Sequence, residues 1–378
     1  MIKNNKRIVF LSNYFNHHQK PFSDCMYDLI GDGYSFVETD EMSQERKSLG
    51  YHTTYPDYVI KHDQFEVRKD EIIKLINEAD AVITGSAPNW LIKERKKKGA
   101  LVLKYSERPF KKIDSLWKRP LRYIKWHLEN PKKSNVYLLC ASAYTAQDYA
   151  SYGLFKGKTF KWGYFPEFLS YDEEQLIEQK EEGSIMWCAR FIDWKHPEKA
   201  VELAKRLKQA GYKFKLNMIG NGEMLEEIKD KIKDLDLEDC VYALGSMKPE
   251  EVRTYMEKSQ VFIFTSDRQE GWGAVLNEAM NSGCAVVADK DIGSAPYLIK
   301  NDQNGLLYDG NIEDLERAVR FILDNEEKRR TYSKEAYKTI KDEWNPRVAS
   351  SRVLSLIDCL VEKREIDCFK DGPCSRAK

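Results

Sequence analysis

Short apolar runs alternate with amphipathic stretches of helical length along most of this chain. This alternation is typical of parallel β-strands that are joined by right-handed helical crossovers. It occurs in two series, so we predict an α/β protein with two doubly wound, Rossmann-like domains that face a cleft. The predicted strands of the first series are 7–11, 34–39, 81–84, 100–105, 136–141 and 159–162. Those of the second are 185–189, 214–219, 241–244, 261–265, 285–288 and 305–307.

The length of the chain agrees with two domains, since a single hydrophobic core rarely grows beyond about 300 residues. We place the first domain, on the acceptor side, at residues 1–168 and the second at residues 169–345, with a charged linker at 172–182. Residues 346–378 are predicted to form a helix that crosses back to the first domain and then a loose polar tail. Ligands of such folds bind at the carboxyl ends of the strands and in the cleft.

Composition excludes several classes of protein. The 61 Lys and Arg residues balance the 61 Asp and Glu residues, so no global field favours nucleic acid, and no nucleic-acid partner is expected. The apolar runs are too short to span a bilayer or to form the core of a signal peptide. The eight cysteines show no metal-binding spacing, so we expect reduced thiols, no metal and a cytoplasmic location.

The most specific motif lies at residues 268–280, directly after the predicted strand 261–265. It contains Glu270 and Glu278, eight positions apart, on either side of a glycine-rich turn that leads into a predicted helix at 274–281. Two carboxylates suit the hydroxyls of a sugar, and backbone amides at a helix start suit an anion. The residues of that turn are Gly271, Trp272, Gly273 and Ala274.

Two further loops follow predicted strands of the same half. The loop after 185–189 offers Arg190 and Lys195, and two cations so close together suit a diphosphate. The loop after 214–219 offers Gly220 and Gly222, which permit a close backbone approach. We expect all three loops to line one pocket that holds a phosphate at one end and hydroxyls at the other.

These motifs, in this order over residues 184–345, resemble the donor domain of retaining glycosyltransferases of family 4, the group 1 family, which have the GT-B fold. The resemblance implies a nucleotide-diphospho-sugar donor, retention of anomeric configuration, no cofactor and no obligatory metal. It also implies that Glu270 contacts the donor sugar, Glu278 the ribose, and Arg190 and Lys195 the diphosphate. The implied function is transfer of a sugar to a glycan or lipid-linked acceptor in cell-surface polysaccharide biosynthesis.

The first half resembles the family only in general. Family members often carry His or Asp on the loop after the fourth strand, near the reacting carbon, and Glu107 is the nearest counterpart here. We include it among the catalytic candidates, with Glu270, Arg190 and Lys195. The acceptor-side candidates are Asn16, His17, His18 and Arg108.

Two other functions fit the same architecture. A nucleotide-sugar epimerase would form product without an acceptor, and a non-catalytic binding protein would hold a nucleotide-sugar without turnover. An NAD-dependent oxidoreductase is disfavoured because the third glycine of the dinucleotide fingerprint is missing.

Residues 108–133 form a basic and aromatic segment with nine Lys or Arg residues against two acidic ones. Together with the basic run 95–98, it is expected to form a local cationic surface. Such a segment suits the interface of an inner-leaflet membrane, and the chain would then be peripheral on the cytoplasmic membrane. The alternative is a solvent-exposed helix with a packed Trp face.

Overall fold

A computed structural model of the chain describes residues 6–43, 54–112, 116–131, 134–364 and 369–378. The chain divides into two compact units. The first comprises the described residues up to Glu167 together with Asn345–Lys378, and the second is Phe168–Trp344. The C-terminal segment thus belongs with the first half of the chain.

The first unit is built on a parallel sheet of seven strands. Six of them lie where the apolar runs predict strands, and the seventh, β3, has only two residues and was not predicted. The order across the sheet is β3-β2-β1-β4-β5-β6-β7. The strands are β1 (Ile8–Ser12), β2 (Tyr34–Glu38), β3 (Val59–Ile60), β4 (Ala81–Thr84), β5 (Leu101–Ser106), β6 (Val136–Cys140) and β7 (Thr159–Lys161).

Helices connect these strands and cover the sheet. Apolar side chains of the strands and helices form a continuous core, in which Val82, Val102 and Leu138 are fully buried. Its burial is the main favourable contribution to folding of this unit. The helices are α1 (Lys20–Ile30), α2 (His62–Val67), α3 (Lys69–Glu78), α4 (Lys93–Lys97), α5 (Arg119–Glu129) and α6 (Thr145–Ala150).

The second unit has a parallel sheet of six strands in the order β10-β9-β8-β11-β12-β13. All six lie close to the predicted positions. They are β8 (Glu181–Cys188), β9 (Lys215–Ile219), β10 (Val241–Gly245), β11 (Ser259–Phe264), β12 (Ala285–Asp289) and β13 (Leu306–Tyr308). The helices are α7 (Glu173–Glu178), α8 (Pro197–Gln209), α9 (Leu225–Asp234), α10 (Pro249–Lys258), α11 (Val275–Asn281), α12 (Ala295–Leu298), α13 (Ile312–Asp324) and α14 (Glu326–Asp342).

The charged stretch 172–182 is not a linker, so that prediction is wrong. Asp172 caps α7, because its side chain accepts a hydrogen bond of 2.9 Å from the backbone N–H of Gln175. Leu176 and Ile177 on the same short helix are buried in the second unit. The acidic residues that suggested a linker are those that favour a helix start.

The C-terminal segment forms a helix, α15 (Pro346–Val361), that packs against α1 in the first unit. The hydroxyl of Ser350 donates a hydrogen bond to the carbonyl of Phe22 across this contact. The prediction of a loose tail is wrong for residues 369–378, because the backbone of Cys374, Ser375 and Ala377 bonds to the edge strand β7. An exposed strand edge offers unpaired backbone groups, and the tail satisfies them.

Both sheets reverse their strand order at one point, between β1 and β4 in the first unit and between β8 and β11 in the second. Loops that leave neighbouring strands at such a switch point diverge and open a crevice outside the carboxyl ends of the strands. Arg190 and Lys195 follow β8, and Glu270 follows β11. The topology of the second unit therefore brings the predicted cations and carboxylate to one crevice.

Candidate functional site

The two loops at the switch point of the second unit are hydrogen-bonded to each other. The backbone N–H of Asp267 donates to the carbonyl of Trp194 at 3.0 Å, and the hydroxyl of Thr265 donates to the carbonyl of Lys195 at 2.7 Å. The indole N–H of Trp187, a buried residue of β8, donates to the same hydroxyl at 2.8 Å. The cationic loop and the Glu270 loop are thus one connected piece of structure.

Within it, the ammonium of Lys195 donates a hydrogen bond to Oε2 of Glu270. Both side chains are only 11% exposed. The Lys195 ammonium also lies 4.2 Å from the ring centroid of Trp194, in a cation–π contact. These contacts hold Lys195 in a defined position, as a preorganised charge requires.

Arg190, the second predicted cation, is exposed, and its guanidinium carbon lies 5.8 Å from the Trp194 ring centroid. Both predicted cations therefore border the same indole ring. An exposed guanidinium beside a fixed ammonium can bind two oxygens of a diphosphate through parallel hydrogen bonds.

Gly220 and Gly222 bring the β9 loop against the cationic loop. A Cβ on Gly220 would lie 1.9 Å from the carbonyl oxygen of Ala189, and one on Gly222 would lie 2.3 Å from that of Phe191. The backbone N–H of Phe191 donates to the carbonyl of Asn221 at 2.9 Å. Only glycine fits at these two positions, and the close approach sets the path of the backbone on both sides of Arg190.

The side chain of Trp272 fixes the turn Gly271–Ala274 to the core of the second unit. This indole is fully buried, donates to Oδ1 of Asn277 at 2.9 Å and packs on Tyr297 and Trp344. Only the backbone of Trp272 is left for the predicted role in donor binding. The helix that follows, α11, has seven residues, so its dipole adds little beyond the amides of the turn.

Glu278 lies on α11 and is partly buried. Burial raises the pKa of its carboxyl, while the charge of Arg253 lowers it. Cys188 lies at the end of β8, and the charges of Glu278 and Lys195 both act on the pKa of its thiol. Its pKa is raised to about 12 by burial and by the Glu278 charge, while Lys195 acts in the opposite direction. Glu278 is therefore close to the same strand end from which the cationic loop leaves.

Sequence reasoning missed a second link between the loops, formed by His196 and its two carboxylate neighbours. His196 has a left-handed backbone (φ 51°) and is the N-cap of α8. Its Nδ1 lies 2.8 Å from Oε1 of Glu198 and its Nε2 lies 3.5 Å from Oδ2 of Asp267. The hydrogen bond to Glu198 raises the pKa of His196. The signal of this arrangement is the positive φ of a non-glycine residue next to Lys195, which is visible only in three dimensions.

In the first unit, the structure brings three of the predicted residues into one cluster. The hydroxyl of Tyr164 donates to Oε1 of Glu107 at 2.8 Å, and the His18 ring lies 6.2 Å from the Tyr164 ring, centroid to centroid. The rings of His17 and His18 are 3.9 Å apart. Burial and the neighbouring His17 lower the pKa of His18 to about 3, so this imidazole is neutral near pH 7. Tyr164 was not among the predicted site residues.

Asn16 and Arg108 have local partners within the first unit. The side-chain oxygen of Asn16 accepts a hydrogen bond of 2.9 Å from the backbone N–H of His18, which shapes the loop after β1. Arg108 is 7% exposed, lies 3.5 Å from Asp148 and stacks over the ring of Tyr144 at 4.5 Å. Asn16 therefore positions His18, and Arg108 faces α6.

Within the described ranges, no group of three or more His, Cys, Asp or Glu side chains is placed to hold a metal ion. None of the described helices is long and apolar enough to cross a membrane.

Two parallel-sheet units of this kind define the GT-B fold of glycosyltransferases, and solved structures agree. HepE of Anabaena in complex with UDP superposes with a TM-score of 0.69, at 13% identity, over 93% of this chain and 99% of that chain.

At the level of sequence, residues 171–339 match the model of the family described as glycosyl transferases group 1. The matched segment lies within the second unit, and over it this chain is similar to group 1 glycosyl transferases. Among curated relatives, the amylovoran biosynthesis glycosyltransferase AmsK of Erwinia amylovora is 34% identical over 32% of this chain and 31% of its own length. An N-acetylgalactosaminyltransferase of Campylobacter jejuni that acts on a diphospho-undecaprenol-linked sugar is 32% identical over 32% of this chain and 33% of its own length. The match thus spans about a third of these two relatives.

Proposed function

We propose that the protein is a retaining glycosyltransferase that moves a sugar from a nucleotide-diphospho-sugar to a glycan or lipid-linked acceptor. The observation that carries the proposal is the connected pair of loops at the switch point of the second unit. It combines an exposed Arg190, a buried Lys195 bound to Glu270, and a backbone turn at Gly271–Ala274.

The chemistry of transfer needs such an arrangement. Breaking the bond between the anomeric carbon and the diphosphate leaves negative charge on the departing phosphate, and fixed cations stabilise that charge. Arg190 is suited to two phosphate oxygens and Lys195 to a third. Glu270 directs one oxygen to Lys195, and its other oxygen can accept a hydrogen bond from a hydroxyl of the donor sugar.

Glu278 is proposed to bind the ribose of the donor. Two hydroxyls on neighbouring carbons suit a partly buried carboxylate that is close to the crevice. The donor is thereby contacted at its diphosphate, its transferred sugar and its ribose by residues of one domain.

The Glu107 cluster of the first unit is proposed to serve the acceptor side. Its Tyr164 hydroxyl and the neutral His18 ring are groups that can exchange hydrogen bonds with acceptor hydroxyls without adding charge. Asn16 and Arg108 then act indirectly, by shaping the loops that carry His18 and Glu107.

The names of the relatives support a role in cell-surface polysaccharide biosynthesis, and the UDP bound to HepE makes uridine diphosphate sugars the first donors to test. A thermal-shift panel of UDP-, GDP- and ADP-sugars is the direct experiment. A donor at 100 times its Kd should stabilise the protein by about 2.7 kcal/mol. The same panel with Arg190→Ala shows whether the shift depends on the proposed phosphate contact.

Turnover then separates the alternatives. Donor consumption that requires an acceptor in a membrane extract, with the donor's anomeric configuration kept in the product and undiminished rate in EDTA, supports the proposal. Product formed without acceptor would instead indicate an epimerase. Binding without any turnover across the panel would indicate a non-catalytic nucleotide-sugar-binding protein.

A further inference from the structure

The surface helix α5 of the first unit is oriented with its apolar face outward. Its domain-facing side is occupied by Trp126, whose ring lies 5.7 Å from Phe110, 5.0 Å from Tyr149 and 4.9 Å from Tyr152, centroid to centroid. Arg119 and Arg122 stack on rings of the same group. A surface helix normally buries its apolar stripe against the core, so this orientation needs a separate explanation.

The opposite side of α5 and the turn before it carry four exposed apolar side chains, which we call the apolar stripe. Trp117 is 93% exposed, Leu121 73%, Ile124 57% and Leu128 76%. Their spacing of four, three and four residues places them on one face of a helix. In helical projection this face points away from Trp126, so the domain does not cover it.

Cations line one flank of the apolar stripe. Lys118, Arg122 and Lys125 each directly follow a member of the stripe, so they share a position about 100° further round the helix. The guanidinium of Arg122 stacks on Phe110, whereas Lys118 and Lys125 are exposed. Glu129 follows the fourth member and lies 3.9 Å from Lys125. The helix is thus amphipathic, with an apolar face toward solvent and positive charge beside it.

We propose that α5 docks on the surface of an anionic lipid bilayer, lying in the plane of the interface with the apolar stripe inserted below the phosphates. Its 11 residues span roughly 16 Å, which suits a helix lying along the surface. Lys118 and Lys125 at the flank then reach the level of anionic headgroups, and Trp117 lies at the depth that indole rings prefer.

Charge argues against a second copy of the chain as the occupant. Pairing two such helices would bring their cations together with only Glu129 on each to offset them, and like charges in contact are unfavourable. An anionic lipid surface offers opposite charge over the whole length of the helix. Because the net charge of the chain is zero, the attraction is local and should weaken as salt screens it.

Vesicle flotation tests the proposal without any donor or acceptor, so its outcome is independent of the proposed transferase activity. Vesicles of phosphatidylcholine alone are compared with vesicles that also contain phosphatidylglycerol. The wild type should float with the anionic vesicles. The variant Leu121→Gln/Ile124→Gln/Leu128→Gln should bind at least about tenfold more weakly, because its stripe can no longer enter the interface.

Two further variants separate insertion from charge. Lys118→Gln/Lys125→Gln should weaken binding about fivefold for each charge removed at low salt. The matched control is Val67→Gln/Val361→Gln, which changes apolar side chains that are 86% and 48% exposed on other helices and should float like the wild type. All substituted side chains are exposed, so unchanged thermal melts should show that each variant is folded.

Equal recovery of the wild type with and without phosphatidylglycerol would overturn the proposal, as would full flotation of the stripe variant. Sedimentation velocity without lipid tests the other occupant. A wild-type dimer that the stripe variant loses, combined with absent flotation, would assign the stripe to a second copy and reject the membrane.

Discussion

Lys195 donates a hydrogen bond to Glu270 across 75 positions of sequence, and this contact unites the cationic loop after β8 with the carboxylate loop after β11. Both side chains are nearly buried, so each charge depends on the other for its stability. Under the proposed function, the same contact positions Lys195 for a phosphate and leaves one oxygen of Glu270 for a sugar hydroxyl. Stability and the proposed chemistry are therefore coupled at this pair.

Breaking the pair from either side should destabilise the protein. Lys195→Met and Glu270→Gln are each expected to lower the free energy of unfolding by roughly 3 kcal/mol, because each leaves a buried group without its charged partner. The double variant should lose less than the sum, since no uncompensated charge remains. Urea denaturation of the four proteins measures the coupling, and strictly additive losses would contradict it.

Arg190→Ala should affect turnover and leave stability almost unchanged. The side chain is exposed, so its loss removes little packing. Removal of one preorganised donor at developing charge costs about 10²-fold or more in kcat. The matched control is Arg317→Ala, which removes an arginine side chain that is 75% exposed on α13. Wild-type kcat for Arg190→Ala, measured at saturating donor, would reject the proposed phosphate contact.

Gly273→Ala should cost more than an ordinary glycine substitution at positive φ. Gly273 has φ 86°, and an added Cβ would lie 2.6 Å from the ring of Phe264. Gly211 has φ 82° with nothing within 4 Å, so Gly211→Ala isolates the backbone cost, which is about 1 kcal/mol. Gly273→Ala should lose roughly 1–3 kcal/mol of unfolding free energy beyond that, because the added Cβ clashes with Phe264. Equal losses in thermal or chemical unfolding would show that the turn relaxes freely.

The neutral state of His18 predicts a specific pH dependence. Its pKa is about 3 in the folded protein against an ordinary value of 6.5. Between these values the unfolded chain binds a proton that the folded chain does not, so this residue makes stability fall as pH decreases from 6.5 toward 3.

His18→Gln should therefore lose stability less steeply in that window, while its difference from the wild type stays constant above pH 7. Denaturation midpoints measured at several pH values check this, and His127→Gln on α5 is the matched control substitution. Parallel profiles of His18→Gln and the wild type would mean that His18 is as easily protonated in the folded state as in the unfolded one.

Local pattern predicted the elements with a strong periodic signal. The strands β8, β9, β11 and β12 lie close to the predicted positions because buried apolar positions dominate those segments. Helix α14 was not predicted, because most of its 17 residues are polar. Its buried residues do recur at helical spacing, and they are Tyr332, Ser333, Ala336, Tyr337 and Ile340. The two-residue strand β3 is too short to produce a pattern.

The basic run 95–98 was expected to lie on the surface, and the structure contradicts this for Arg95. Arg95 is fully buried, and its guanidinium donates to the carbonyls of Ile76, Ala79 and Asp80. Its neighbours on α4 are largely exposed. The fold uses Arg95 to satisfy carbonyls at the end of α3, and no local rule distinguishes it from the lysines that follow.

The sequence by itself determined the class of fold and the types of residue at the carboxyl ends of the strands, because periodicity and strand-loop-helix order are local properties. Only the tertiary structure decided which of those residues meet. The pairing of Lys195 with Glu270, the buried position of Trp272 and the outward face of α5 depend on strand order and packing, which join residues far apart in the chain. A contact between distant segments leaves no periodic trace in either one, and for that reason the geometry of the site had to come from the fold.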